Sequence, residues 1–130
     1  MSQSERRTVK SGSPFEVRYG FSRAVRVGDR IVVAGTAPIA APGDPIPASA
    51  YEQTRRCFEI IEAALAELGA GLEHVVRTRM YLLHEEDADQ VGRAHLEAFG
   101  DAAPAATMIV VAALLHTAWR VEVEAEAIVD

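Results

Sequence analysis

The sequence contains one cysteine, Cys57, which excludes an intrachain disulfide and any multi-cysteine zinc knuckle. Its longest apolar run, Met108 to Leu115, falls far short of the ~20 residues needed to span a bilayer, so no membrane partner is expected. The opening MSQSERRTVKSGSP has no apolar segment of the secretory kind, and a cytoplasmic location is expected. Positive charge is also in short supply. Against 19 Asp and Glu stand 13 Lys and Arg, a formal net charge of −6. Neutralising a phosphate backbone takes an excess of cations, so nucleic acid is not an expected partner. The histidines His74, His84, His95 and His116 show neither HxH nor HExxH spacing, so no metal site is expected and no cofactor is implied.

There is no internal repeat and no long linker. With 130 residues, 49% of them hydrophobic and 25% charged, the chain reads as one globular domain, residues 1–130. That length buries roughly two-thirds of the unfolded surface. Residues 1–13 read as a loose tail. FSRAVRVGDRIVVAGT, residues 21–36, reads as two strands about a turn at Gly28-Asp29. The following APIAAPGDPIPAS holds four of the six prolines and is a loop.

Ser49 and Glu52 then make an S-x-x-E capping box. Tyr51, Thr54, Phe58, Ile61, Leu65 and Leu68 recur at steps of three and four and form one helical stripe, stopped by Gly69. Cys57 lies beside that stripe and reads as a small core residue. HVVRTRMYLL, residues 74–83, alternates as a strand, with Val76, Thr78, Met80 and Leu82 on one face and Arg77, Arg79 and Tyr81 on the other. A second helix is expected from Asp87 to Phe99, opened by Asp87 with Gln90 three residues on and closed by Gly100. Its apolar face is Val91, Ala94, His95 and Ala98, which makes His95 a packed, hydrogen-bonded core histidine.

DAAPAATMIVVAALL, residues 101–115, reads as a buried strand after its proline, and RVEVEAEAIV, residues 120–129, as the last strand. The order β-β-α-β-α-β-β predicts an α+β layer with two helices on one face of a sheet. The last strand alternates Val121, Val123, Ala125 and Ala127 with Glu122, Glu124 and Glu126. Helices on the apolar face leave the glutamates to share the other with Arg77 and Arg79. If the two strands are neighbours, a cross-strand ion-pair ladder results. Residues 108–115 are apolar on both faces, so this second face is not simply wet; a mixed face of that kind suits burial against another subunit.

Taken in order, FSRAVRVGDRIVVAGTAP, the first helix, VVRTRMYL, PAATM and VEVEAEAIV resemble the Rid family, also called YjgF or endoribonuclease L-PSP, from about Phe15 to the end. The resemblance implies a chorismate-mutase-like α+β fold, a mixed sheet with two helices packed on one face, and a homotrimeric barrel. It further implies clefts between subunits that bind small carboxylate-bearing metabolites. Well-known members are enamine/imine deaminases acting on 2-aminoacrylate. In them an arginine after a Pro-Ala pair forks onto the substrate carboxylate, while an acid on the last strand and a backbone carbonyl orient the attacking water.

At the matching positions this chain both keeps and loses parts. Gly35 of the Gly-Thr-Ala-Pro segment is retained, and Glu122 matches the last-strand acid and is the candidate catalytic residue. Ala106 follows Pro104-Ala105 where the arginine belongs, Phe21 replaces a tyrosine, Arg23 replaces a glutamine, and Met108 replaces a smaller residue. Losing a buried partner of a carboxylate costs about 2–5 kcal/mol, so 2-aminoacrylate is not the expected substrate unless another cation takes over. Arg23, Arg79 and Arg93 are the candidates, and Trp119 is a candidate cleft residue. Three function classes follow from the resemblance. They are a divergent imine/enamine deaminase or related hydrolase, a non-catalytic metabolite-binding trimer, and the endoribonuclease or translation inhibitor of the older family name. The last is weakest, for want of a histidine pair to cleave RNA.

Overall fold

The apolar stripe on the first long helix decides which side of the sheet is covered. In the computed structural model, which describes residues 5–130, this helix is α2 (Ala50–Glu67). Ser49 caps it by accepting from the Glu52 amide, and Gly69, at φ 82°, follows its end in the left-handed region. Thr54, Phe58, Ile61, Leu65 and Leu68 are buried, as is Cys57, whose thiol pKa is pushed up by burial. Cys57 is therefore an inert core residue.

Elements β1 (Arg6–Val9), α1 (Pro14–Tyr19), β2 (Ala24–Val27) and β3 (Arg30–Thr36) precede α2; β4 (Val75–Leu82), α3 (Ala88–Phe99), β5 (Ala105–Val110) and β6 (Val121–Ile128) follow it. The strands form one mixed sheet ordered β1-β2-β3-β6-β4-β5. All neighbours are antiparallel except β4 and β5, which α3 joins as a parallel crossover. Helices α2 and α3 pack together over one face, against Ile31, Val33, Met80, Leu82, Val121 and Val123. Each such side chain taken from water contributes about 1.5–3 kcal/mol. Val27 and Arg30 close the β2–β3 hairpin, and only Gly28 of its two loop residues has positive φ, the pattern of a type II′ turn. His95 is half-buried and hydrogen-bonded to Thr78 at 2.8 Å, and burial lowers its pKa.

Several expectations need correction. Residues 6–9 are not a loose tail: they pair with β2 from Arg6–Val27 to Val9–Ala24. Residues 1–4 of that expected tail lie outside the described residues. Helix α1 was not anticipated, because Phe15, Val17 and Tyr19 are exposed and leave no inward apolar stripe. Val75 rather than Val76 is buried, because the β4–β6 register shifts between Val75 and Arg77 and turns Val76 outward. Asp87 does not cap α3 with its side chain; it is buried and forks onto Arg120 at 2.9 and 3.1 Å. Gln90 accepts from the Tyr51 amide instead of reaching back. Finally, the run 101–115 is not a buried strand. Strand β5 ends at Val110, lies at the sheet edge, and is exposed along its whole length in the single chain.

Candidate functional site

Alternation along β6 sets the site's orientation. Val121, Val123, Ala125 and Ala127 are buried under the helices, so Glu122, Glu124 and Glu126 share the open face. Strand β4 is the neighbour, with Arg77 opposite Glu126, Arg79 opposite Glu124 and Tyr81 opposite Glu122. The expected ladder forms only at one end. Arg77 Nε lies 3.2 Å from Glu126, which also pairs with Arg30 at 2.9 Å. Glu124 accepts from the Tyr81 hydroxyl instead, and among the described residues Arg79 makes no ion pair.

Glu122 is held differently from its two companions. The β3–β6 register shifts between Val33 and Thr36, and Gly35 lies within that irregularity. The Glu122 carboxylate folds over Gly35 so closely that a Cβ there would stand 2.5 Å from Oε2. Only glycine leaves this space. Arg23 reaches the same point from the start of β2. Its backbone is fixed by donating to Val9 O and accepting from the Ala34 amide, and its Nη2 donates to the Gly35 carbonyl at 2.5 Å. Arg23 Nε is buried without a partner among the described residues.

The electrostatics follow from that packing. Burial disfavours both charges, lowering the Arg23 pKa and raising that of Glu122. Each charge partly restores the other, and Glu16 on α1 supports Arg23 more strongly than Glu122 does. Glu122 makes no ion pair within 4.0 Å among the described residues, so it is a half-buried carboxylate with a raised pKa beside a cation and a backbone carbonyl. A group so tuned can accept a proton from water or from a ligand hydroxyl or amine.

The other sequence candidates are distributed around the sheet. Ala106 and Met108 lie on β5 in register with Thr78 and Met80, on the helix-covered side, and Met108 approaches α3 near Gly92. Within one chain they therefore face away from Glu122. Phe21 is exposed, and its carbonyl accepts from Lys10 Nζ. Trp119 stacks on His116 at 5.4 Å and buries its Nε1, unpartnered among the described residues, in the connection before β6. Arg93 lies 4.2 Å over the Tyr51 ring, where α2 and α3 meet. Of the three arginines weighed from the sequence, only Arg23 joins Glu122.

A groove of about 360 Å³ between α2 and α3 contains none of these candidates. Within it Tyr51 donates to Glu97, beneath Arg93 and Arg55. Sequence reasoning missed Glu16, the buried carboxylate whose charge acts on Arg23. Its signal was present in Ser13-Pro14-Phe15-Glu16, a serine cap, a proline at the first turn and an acid three residues after the serine.

Among the described residues no helix is long and apolar enough to cross a membrane, and no group of three or more His, Cys, Asp or Glu could hold a metal ion. Residues 12–129 match the family model described as Endoribonuclease L-PSP. The chain is 45% identical over 126 residues to the uncharacterized protein SCO2049 of Streptomyces coelicolor, covering 93% of this chain and 90% of that protein. It is 37% identical over 95 residues to a RutC family protein of Pyrococcus abyssi, covering 72% and 75%. The crystal structure of Rv2704 from Mycobacterium tuberculosis, a member of the YjgF/YER057c/UK114 family, superposes with a TM-score of 0.88 at 42% identity, over 96% of this chain and all of that one (100%). Sequence motifs, sheet order and these likenesses agree, and the chain belongs to the endoribonuclease L-PSP, or YjgF/Rid, family.

Proposed function

We propose that this protein binds a small metabolite in clefts between the subunits of a homotrimer, and that it is a divergent hydrolase of the imine/enamine deaminase type. The observation that carries the reading is the meeting of Arg23, Gly35 and Glu122. Burial holds the Glu122 pKa above the ordinary carboxylate value, which brings it closer to that of a useful general base. Glu122 takes a proton from water as the water oxygen bonds to the carbon of a C=N group and the π pair moves to nitrogen. It returns that proton to the nitrogen, and the C–N bond breaks as the carbonyl forms and the amine leaves. Arg23 offsets the negative charge that develops nearby. Ala106 and Met108 supply an apolar wall. They lie on the opposite face of the sheet from Glu122, so one cleft uses both only if they come from different copies. With no arginine at position 106, the favoured substrate is less anionic than a 2-imino acid. A cytoplasmic location fits such a metabolic role.

A non-catalytic metabolite binder is the second reading. It is favoured by the bond from Arg23 to the Gly35 carbonyl, because that bond engages a backbone acceptor beside Glu122 that is then less able to orient a water. The endoribonuclease reading has less support. His95 is engaged with Thr78 beneath α3, while His116 stacks on Trp119.

A hydrolysis screen across imines, enamines, amides and other carbonyl compounds, run beside Glu122→Gln, separates the readings. Turnover by the natural protein that Glu122→Gln abolishes supports the hydrolase. Tight binding without turnover in either protein supports the binder.

A further inference from the structure

Helix α1 has its polarity reversed. It exposes Phe15, Val17 and Tyr19 and buries Glu16, which is only 5% exposed. Burying a carboxylate costs several kcal/mol unless other groups compensate it, so a short surface helix has no packing reason to turn this side chain inward. The compensation is visible. Both Glu16 carboxylate oxygens accept from the Ser11 amide, at 3.0 and 3.2 Å, and one also accepts from the Ser11 hydroxyl. The Glu16 carbonyl accepts from Gly20 and Phe21, and Arg23 donates its own amide to Val9 O, two residues before Ser11. The end of β1, α1 and the approach to β2 are thus laced into one unit around Glu16, with Arg23 at its far end.

Arg23 is therefore acted on by two carboxylates, Glu16 from α1 and, less strongly, Glu122 from β6. Among the described residues it makes an ion pair within 4.0 Å with neither, and its side chain hydrogen-bonds to the Gly35 carbonyl alone. We propose that Glu16 is a positioning residue. Its buried carboxylate balances the pull of Glu122 on Arg23, keeping the guanidinium on the Gly35 carbonyl and leaving Glu122 unpaired and able to accept a proton. This deepens the hydrolase reading and rests on it for its functional meaning, but the charge balance itself exists without ligand.

Burial raises the Glu122 pKa most, Arg23 lowers it and Glu124 on its own strand raises it. Tyr81 lies opposite on β4, and the Cys57 thiol on α2 is within reach of the Glu122 charge. Of these, Arg23 is the one on which the Glu16 charge acts. Glu16→Gln keeps the shape and an acceptor for the Ser11 amide but removes the charge, so Arg23 is drawn to Glu122 alone.

The test is a carboxyl-carbon NMR titration of the full-length, ligand-free protein, with the Glu122 signal assigned through Glu122→Gln. In Glu16→Gln the Glu122 midpoint is expected to fall by about half a pH unit or more, as expected when an opposite charge moves closer. The drop is expected to vanish when Arg23→Gln is added, which a merely structural role for Glu16 would not produce. Should Glu16→Gln fail to fold, Glu16→Asp, which withdraws the charge by one methylene, is expected to shift the midpoint the same way by less. An unchanged or raised midpoint in whichever variant folds overturns the proposal. A drop that persists without Arg23 overturns it equally. Because no ligand is present, failure here leaves the hydrolase reading standing, and failure of the substrate screen leaves this result standing.

Discussion

The Glu122 carboxylate occupies the space that a side chain at Gly35 would fill, with 2.5 Å separating Oε2 from a Cβ built there. Gly35 does not have positive φ, so alanine meets no backbone strain at that position. What it meets is the far end of a flexible side chain, which can swing away. Gly35→Ala is therefore expected to change stability by no more than about 1 kcal/mol while displacing Glu122 from Arg23 and the Gly35 carbonyl. Urea unfolding checks the first part, and loss of ligand binding or turnover at unchanged stability checks the second. A large loss of stability with the site's activity intact would contradict this account of the glycine.

Glu122 also makes stability depend on pH, with a definite sign. Its folded pKa is raised above the ordinary 4.5, chiefly by burial. Well below that value both the folded and unfolded chains carry the proton, and there is no penalty. As pH rises through the window above 4.5, the unfolded chain releases its proton first, so the folded state loses stability until Glu122 itself has ionised. Glu122→Gln removes this penalty. Thermal melts should show the variant more stable than the natural protein at neutral pH, with the gap closing in acid. A variant less stable at neutral pH would mean that Glu122 is held by contacts other than those described.

Much of the fold was legible because local signals agreed with the final packing. In α2 the Ser49 cap, the three-and-four stripe and Gly69 all pointed one way, and the Gly28-Asp29 turn set the β2–β3 register. The open-face glutamates were legible from simple alternation. Other features needed three-dimensional information. Asp87 has the sequence context of a helix cap, but Arg120, distant in the chain, takes its carboxylate. The bulge after Val75 exchanges the burial of two valines that composition cannot distinguish. Helix α1 hides from hydrophobic periodicity because its inward residue is Glu16. The site was half legible: Arg23, Gly35 and Glu122 converge, whereas Ala106 and Met108 lie on the other face of the sheet.

The Asp87–Arg120 fork ties the start of α3 to the start of β6. Asp87 is only 2% exposed, whereas the Arg120 side chain is 36% exposed. Arg120→Met leaves the aspartate buried without its partner. A fully buried pair broken in this way costs about 3–5 kcal/mol, and the partial exposure of Arg120 reduces the expected loss to about 2–3 kcal/mol. Chemical denaturation measures it directly. A loss below about 1 kcal/mol would place the pair among ordinary surface ion pairs.

Assembly is expected to cover the edge strand. Met108, Ile109 and Val110 are 40%, 45% and 53% exposed on β5, which has an unpaired edge and follows a partly charged open face. An exposed apolar edge of this kind invites association. Light scattering at micromolar concentration should find a trimer, and a stable 14.0 kDa particle would contradict both the trimer and the inter-subunit cleft.

The charge preference of the ligand is the sharpest expectation about the cleft. Ala106 stands where the family resemblance places the carboxylate-binding arginine, and in the single chain nothing on its edge strand obstructs a longer side chain. Arg23 does not simply replace the missing group, because its Nη2 is committed to the Gly35 carbonyl and Glu122 lies beside it to repel an anion. Calorimetry with matched amide and carboxylate ligands should therefore show no carboxylate preference in the natural protein, and 2-aminoacrylate hydrolysis should be weak or absent. Ala106→Arg should shift the ratio toward the carboxylate by roughly 30-fold or more, the range for gaining a desolvated charge partner. If the natural protein already binds the carboxylate at least roughly tenfold more tightly, a gap of about 1.4 kcal/mol, then Arg23 has left Gly35 to meet it. The apolar reading of the cleft would then be wrong.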